Sequence, residues 1–173
     1  KFIITGSDLN ISDRTKHLSN LGIDIKIGHS NKNINNPDIV VYSSAVKLDN
    51  IEIIESQNKS IPIIRRAEML GELLKLKKTS IAISGTHGKT TTCSMLSSIL
   101  FEAKLNPTLV IGGIVNNFGS NAISGEGDII VVEADEFDRS FLSLKPTMGI
   151  INNLDLEHTD CYKDIDDLKN TFT

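Results

Sequence analysis

The stretch Ile81-Ala82-Ile83-Ser84-Gly85-Thr86-His87-Gly88-Lys89-Thr90-Thr91-Thr92 constrains this chain more than any other. It reads as a short apolar strand, a glycine-bearing turn, Lys-Thr, and then an amphipathic helix with Met95, Leu96, Ile99, Leu100 and Ala103 on its apolar face. A strand that hands over to a helix in this way is the layout of a phosphate-binding loop. Backbone N–H groups in the turn and at the helix N-terminus point at an anion, and the glycines let the backbone approach it closely. Gly85, Thr86, His87, Gly88, Lys89, Thr90 and Thr91 are therefore the candidate ATP-binding residues, with Lys89 on the outer phosphates and the Thr90 hydroxyl on Mg2+. The full pattern G-x-x-x-x-G-K-[ST] asks for glycine where this chain has Ile83, so the match is to the shorter G-x-x-G-K-T. The alternative is an ordinary glycine turn with Lys89 solvated. The coincidence of strand, turn, Lys-Thr and helix argues against it.

The residues before this loop alternate between strand and helix signals. Phe2-Ile3-Ile4 reads as a strand leading to the turn Gly6-Ser7-Asp8. A helix around Ile11 to Leu21 is closed by Gly22, and the alternating Ile23 to Ile27 leads to Gly28-His29. Asp38 to Tyr42 is a further strand, ending at Ser43-Ser44-Ala45. A helix over Ile51 to Asn58, a strand over Ile61 to Ile64 and a helix over Ala67 to Leu76 follow. Strands and helices alternating at these lengths imply a parallel sheet with helices packed on it, and ligands in such folds bind beyond the carboxyl ends of the strands. Ser7, Asp8, Ser43 and Ser44 sit at such ends and are candidate substrate-binding residues. Turn and cap roles are at least as natural for them. His29 and Arg65-Arg66 read equally well as surface groups. The pattern G-x-G-x-x-G is absent, so a dinucleotide site is not supported. The polar run Lys75 to Ser80 places a domain boundary there, giving domains 1–78 and 79–173.

After the loop and its helix, Thr108 to Ile111 is expected as a strand. A polar, glycine-bearing loop through Asn116, Asn117, Gly119, Ser120 and Asn121 follows it. Asp128-Ile129-Ile130-Val131-Val132-Glu133 then reads as a buried parallel strand with a carboxylate at its carboxyl end, where a nucleotide-bound magnesium ion is met. Glu133 is the candidate metal ligand. Like charges in the cluster Glu133, Asp135, Glu136 and Asp138 repel unless a cation relieves them. Met148 to Ile151 forms the next strand, and His158 lies just beyond it among acids, where it could serve a second metal ion or a phosphoryl group. Three strand ends thus converge on one crevice. The fold class is α/β: a Rossmann-like parallel-sheet domain followed by a phosphate-loop α/β ATP-binding domain, both expected to be incomplete.

Composition narrows the partners. A net charge of −4 with acids and bases interspersed gives no basic stripe for nucleic acid and no polybasic membrane-binding run. Cys93 and Cys161 lack C-x-x-C spacing, which argues against a disulfide or zinc site and for a reducing compartment, the cytoplasm. Lys1 falls within an expected strand and Thr173 within an expected helix, so we expect the sequence to be a segment of a longer protein.

Three motifs together resemble the Mur ligases of peptidoglycan synthesis: Gly85-Thr-His-Gly-Lys-Thr-Thr-Thr92, Val132-Glu-Ala-Asp-Glu-Phe-Asp138 with Ser140-Phe141-Leu142, and Asn153-Leu-Asp-Leu-Glu-His158. Gly6-Ser7-Asp8, Ile27-Gly28-His29, Ser43-Ser44-Ala45-Val46 and Arg66-Ala-Glu-Met-Leu70 look like the family's UDP-binding domain, so the likeness covers essentially the whole chain. The resemblance implies a cytoplasmic, three-domain ATP-dependent ligase that forms an amide on UDP-N-acetylmuramate through an acyl phosphate. L-alanine is the expected amine, a recovered murein tripeptide the alternative, and a non-catalytic UDP-sugar module a third reading. By the same resemblance Lys89, Glu133 and His158 are catalytic, and Thr90, Glu133 and His158 hold Mg2+. His87, Asn116, Asp135 and Glu136 lie near the muramoyl substrate. The last motif departs from the family's usual wording before His158, which leaves Asp155 and Glu157 open.

Overall fold

The computed structural model describes residues 2–115, 120–157 and 161–172. Two compact units divide the chain, Lys1–Arg66 and Ala67–Thr173. In the first, β1 (Thr5–Asp8), α1 (Asp13–Asn20), β2 (Asp24–Ile27), β3 (Val40–Tyr42), α2 (Ile51–Asn58) and β4 (Ile63–Arg65) follow in order. β1 pairs in parallel with β2, and β3 with β4, so the described strands form two short ladders and not the single sheet expected. The first strand also lies further along than its apolar run suggests. Phe2, Ile3 and Ile4 are exposed, and the ladder forms where β2 offers partners, from Thr5 opposite Asp24 to Asp8 opposite Ile27. Gly6, Ser7 and Asp8 therefore belong to the strand and not to a turn after it.

Local chemistry accounts for the helices of this unit. Ser12 caps α1 in a reciprocal box with Thr15, satisfying N–H groups that a helix start leaves without acceptors. Asn50 caps α2 by accepting from the Glu52 N–H at 2.8 Å.

The second unit contains α3 (Arg66–Leu74, starting on the last residue of the first), β5 (Thr79–Ser84), α4 (Lys89–Glu102), β6 (Thr108–Val115) and β7 (Ser120–Ile123). β8 (Ile129–Glu133), a 3-10 segment (Phe137–Ser143), β9 (Met148–Ile151) and α5 (Ile165–Thr171) complete it. The sheet order is β7-β6-β8-β5-β9, with β7 antiparallel to β6 and the other pairings parallel. β7 was not expected: Ser120 and Asn121, read as loop, pair back toward β6 in a short polar strand with little β-branched content.

β5 and β8 are covered on both faces, which is why both read as unbroken apolar runs. Ile81, Ile83, Leu109, Ile111 and Val131 pack with Cys93 of α4 on one face, and Ala82, Ile130, Val132 and Ala134 pack with Leu74 of α3 on the other. Each of the buried Val, Leu and Ile side chains among these contributes about 1.5–3 kcal/mol. The face of α4 differs from the expected one. Cys93, Leu96, Ser97 and Leu100 lie inward, whereas Met95 and Ile99 are 59% and 65% exposed. The small side chains of Cys93 and Ser97 let the helix sit close to the sheet, and the larger apolar residues one step round are left outside. By packing, α3 lies in the second compact unit, its Leu74 in the same apolar cluster as Ala82, Ile130 and Val132. No helix among the described residues is long and apolar enough to cross a membrane.

Candidate functional site

The turn between β5 and α4 is shaped by its two glycines. Gly88 is the N-cap of α4 in the left-handed region, at φ 78° and ψ 5°, and no side chain caps the helix. The first N–H groups of a helix have no intrahelical acceptor, so an uncapped start is suited to an anion. Gly85, at φ 122°, passes so close to the chain after β9 that a Cβ there would meet Asn153 O at 2.9 Å and the Asn152 and Asn153 nitrogens at 3.0 Å. That neighbouring chain clasps the loop. Thr86 N–H donates to Asn153 O (3.1 Å), His87 N–H donates to Asn153 Oδ1 (2.8 Å), and Thr86 Oγ1 accepts from Asp155 N–H (2.9 Å). The side-chain amides of Asn152 and Asn153 both donate to His87 O. Asn152 and Asn153 were not singled out as site residues. The signal for Asn152 was only its place after a third strand, whereas Asn153 opens the third family-like motif.

Within this frame Lys89 turns back over the loop. Its Nζ donates to Gly85 O at 2.7 Å and to Glu136 Oε2 at 2.8 Å, lies 3.4 Å from Thr86 O, and has Asp135 at 3.7 Å. Glu136 is 2% exposed, its Oε1 has no partner, and its backbone carbonyl accepts from the Tyr162 hydroxyl at 2.6 Å. Tyr162 is itself buried, and Arg139 stacks over its ring at 5.1 Å while donating to Asp167 at 2.7 Å. Burial pushes the Tyr162 hydroxyl's pKa up, so it stays a donor.

Thr90 and Glu133 meet beside the lysine. The Thr90 hydroxyl lies 3.1 and 3.0 Å from the two Glu133 carboxylate oxygens, and Gly112 N–H donates to Glu133 Oε2 at 3.0 Å. Parallel pairing sets this up, because Glu133 stands opposite Ile83, just before the loop begins. A hydroxyl and a carboxylate are hard oxygen donors, and they fit Mg2+, which takes one or two carboxylates and keeps water and phosphate oxygens for the rest of its shell. Gly112 and Gly113 keep the surroundings open: a Cβ on Gly112 would approach the Glu133 carboxylate at 3.3 Å, and one on Gly113 would approach Thr90 Cγ2 at 3.4 Å. Among the described residues no group of three or more carboxylate, histidine or cysteine side chains gathers into a metal cluster. His158 and Asn116 lie outside the described residues. Thr91 is exposed in the first turn of α4. Beneath Thr90, Cys93 is fully buried and its thiol pKa is pushed up to about 12 by burial, with the Glu133 charge adding to it. It is a packing residue and no nucleophile.

His87 is 58% exposed, with Nε2 3.4 Å from Glu157 and 3.8 Å from Asp155. The two acids left open by the motif thus face the loop's histidine. Asp135 is 60% exposed and Glu136 is not, so a substrate could reach the first directly but not the second.

In the first unit, the strand-end residues part company. Ser7 donates to Glu52 Oε2 at 2.6 Å, and the same carboxylate lies 3.1 Å from His29 Nδ1 and accepts from Ser30 N–H (3.2 Å) and Asn33 Nδ2 (2.6 Å). Burial pushes the Glu52 pKa up, but the bonds from Ser7, Asn33, Ser30 and His29 outweigh it and hold the group below its ordinary value. Sequence reasoning missed Glu52, whose only signal is an acid in an apolar first turn. Asp8 is exposed and accepts from Asn10 N–H, Ser43 accepts from Ala45 N–H in a turn, and Ser44 is exposed. The structure does not bring Ser43 and Ser44 into the Glu52 network.

A sheet in which an inner parallel strand passes through a glycine turn and Lys-Thr into a helix, with an acid at the end of the adjacent strand, defines the phosphate-loop class of α/β proteins. Two domain families match this chain, the Mur ligase family catalytic domain over residues 2–78 and the Mur ligase middle domain over residues 83–173. The chain belongs to the Mur ligase family. It is 51% identical over 171 residues to the UDP-N-acetylmuramate--L-alanine ligase of Syntrophus aciditrophicus and 53% identical over 171 residues to that of Persephonella marina. These matches cover 99% of this chain but 35% and 37% of the relatives, so the chain spans little more than a third of their length. Among solved structures it is similar to UDP-N-acetylmuramate-alanine ligase from Thermotoga maritima (TM-score 0.86, 33% identity, 97% of this chain and 40% of that one). It is also similar to the UDP-N-acetylmuramate:L-alanyl-gamma-D-glutamyl-meso-diaminopimelate ligase of Neisseria meningitides (TM-score 0.84, 29% identity, 97% and 58%).

Proposed function

We propose that this chain is the UDP-sugar-binding and ATP-binding part of a ligase that joins L-alanine to UDP-N-acetylmuramate. The observation that carries the reading is Lys89, Thr90 and Glu133 meeting at the mouth of an uncapped helix, in a chain similar over nearly its whole length to L-alanine ligases. The residues up to about the β5 strand hold the UDP sugar, and those from β5 onward hold ATP.

The reaction brings two anions together, a sugar carboxylate and the terminal phosphate of ATP. The carboxylate oxygen bonds to phosphorus as the bond to the ADP oxygen breaks, and the amine of L-alanine then attacks the acyl carbon and expels phosphate. Charge must be neutralised before the anions can approach, and preorganised donors do this without reorganising at the moment of reaction. Lys89 supplies a fixed cation, and the turn and first-helix N–H groups supply dipoles. Thr90 and Glu133 would hold Mg2+, which lends further positive charge to the phosphates. His158 is the proposed third ligand. His87, Asn116 and Asp135 are proposed to face the muramoyl group. The cytoplasm, where ATP and the UDP sugar are supplied, is the compartment this reading calls for.

The amine is the point where relatives differ, since one similar structure is an alanine ligase and another takes a peptide. The L-alanine reading rests on the higher identity to L-alanine ligases. The full-length protein, given ATP, Mg2+ and UDP-N-acetylmuramate, should release phosphate with L-alanine and form an amide detectable by mass spectrometry. Turnover with the tripeptide and none with L-alanine would overturn the choice of amine. ATP-independent binding of the sugar alone would reduce the chain to a binding module.

A further inference from the structure

We propose that Glu136 is a built-in stand-in for a phosphate oxygen: it occupies Lys89 until the phosphate chain arrives and then gives the lysine up. The inference rests on the nucleotide-binding reading above and adds a role for Glu136 that differs from contact with the muramoyl substrate.

A lysine ammonium has three N–H donors. Here two are spent on Gly85 O and Glu136 Oε2, and the third lies toward Thr86 O. Lys89 is only 12% exposed, so no donor is left over for a phosphate oxygen. One partner has to yield. The two carbonyls belong to the turn, which is tied to Asn152, Asn153 and Asp155 by six hydrogen bonds of ordinary strength. Glu136 is the partner that can yield. It carries the same charge as the arriving phosphate, which repels it, and its second oxygen is buried without a hydrogen bond, so its place on Lys89 is incompletely satisfied. Because its backbone is pinned by the Tyr162 hydroxyl, the exchange is a rotation of one side chain and needs no movement of the loop.

The exchange makes nucleotide affinity a difference between two anions competing for one cation. Removing the charge of the resident should therefore tighten binding. The test is calorimetric titration of the full-length protein with a non-hydrolysable ATP analogue and Mg2+. Glu136→Gln should lower Kd roughly tenfold, the size of one charge-assisted hydrogen bond. Asp135→Asn removes an equal charge from an exposed position 3.7 Å from the same Nζ. It should change Kd by less than about twofold, as exposed pairs do. Glu136→Asp keeps the charge but withdraws it from Lys89 and should also tighten binding, which covers the case in which the glutamine variant does not fold. Unchanged or weaker binding by the position 136 variants would overturn the proposal, as would an Asp135→Asn effect equal to theirs. A wild-type protein that ignores the analogue altogether would instead refute the nucleotide reading itself.

Discussion

Two buried carboxylates, one in each unit, are held in opposite ways. Glu52 meets burial with four donors, none of them lysine or arginine: the Ser7 hydroxyl, the Asn33 amide, the Ser30 N–H and the His29 ring. Glu136 has a single cation on one oxygen and nothing on the other. A carboxylate saturated by four donors has nothing to trade, since each donor would be stranded by its removal. One held by a lone lysine beside an open helix end can be exchanged for another anion. The difference separates a carboxylate that organises three chain segments from one that waits on a ligand.

The largest expected effect tests the lysine that makes the second arrangement possible. Lys89→Ala in the full-length enzyme should lower turnover by about 10²-fold or more, the usual loss when a preorganised charge partner is removed. It should also cost about 3 kcal/mol of stability, because Glu136 is left buried without a cation. Adding Glu136→Gln to that variant should restore most of the stability and none of the turnover, by chemical denaturation and ligase assay respectively. Recovery of activity would break the assignment of Lys89 to catalysis.

Next in size is the other carboxylate. Glu52→Ala should destabilise the chain by about 2–3 kcal/mol by stranding its donors, read as a lower denaturant midpoint. Glu136→Gln should cost less than about 1 kcal/mol, since its position is already half satisfied. Equal losses would erase the contrast. A smaller signature is acid sensitivity. The Glu52 pKa in the folded chain lies below its ordinary 4.5. Its contribution is therefore fully present above that value and is lost as pH falls through the lower, folded one. Glu52→Gln should flatten stability against pH in that acid range, and a slope identical to wild type would sink the claim. The smallest effect concerns Cys93: with its thiol pushed up to about 12 it should resist alkylation in the native protein, while partly exposed Cys161 is labelled first, as peptide mass spectrometry would show.

Local signals were legible and long-range ones were not. The helix over Ile51–Asn58 and the strand ending at Glu133 could be read directly, because a capping Asn50 and a run of β-branched residues act through neighbours in sequence. The phosphate turn could be read for the same reason: its glycines, lysine and threonine are contiguous. Glu52 could not, since its partners Ser7, His29, Ser30 and Asn33 lie far along the chain and no spacing announces them. Asp135 and Glu136 look alike in sequence, yet one is exposed and the other buried, because the side chains of α4 and the loop after β9 decide which of them is covered. The inward face of α4 was misjudged by size. Apolar bulk at Met95 and Ile99 suggested burial, but a close approach to the sheet selects small residues, Cys93 and Ser97.

The placement of α3 matters to anyone dividing the chain. A Cβ on Gly71 would stand 2.5 Å from the carbonyl oxygen of Ser143, and Leu74, 2% exposed, plugs the apolar layer formed by Ala82, Ile130 and Val132. An expression boundary drawn at β5, the natural cut from motifs alone, would pull that plug and leave a hydrophobic socket open to water. A boundary just before Arg66 keeps the socket filled, so soluble yield from the two cuts should differ even though the nucleotide loop is intact in both.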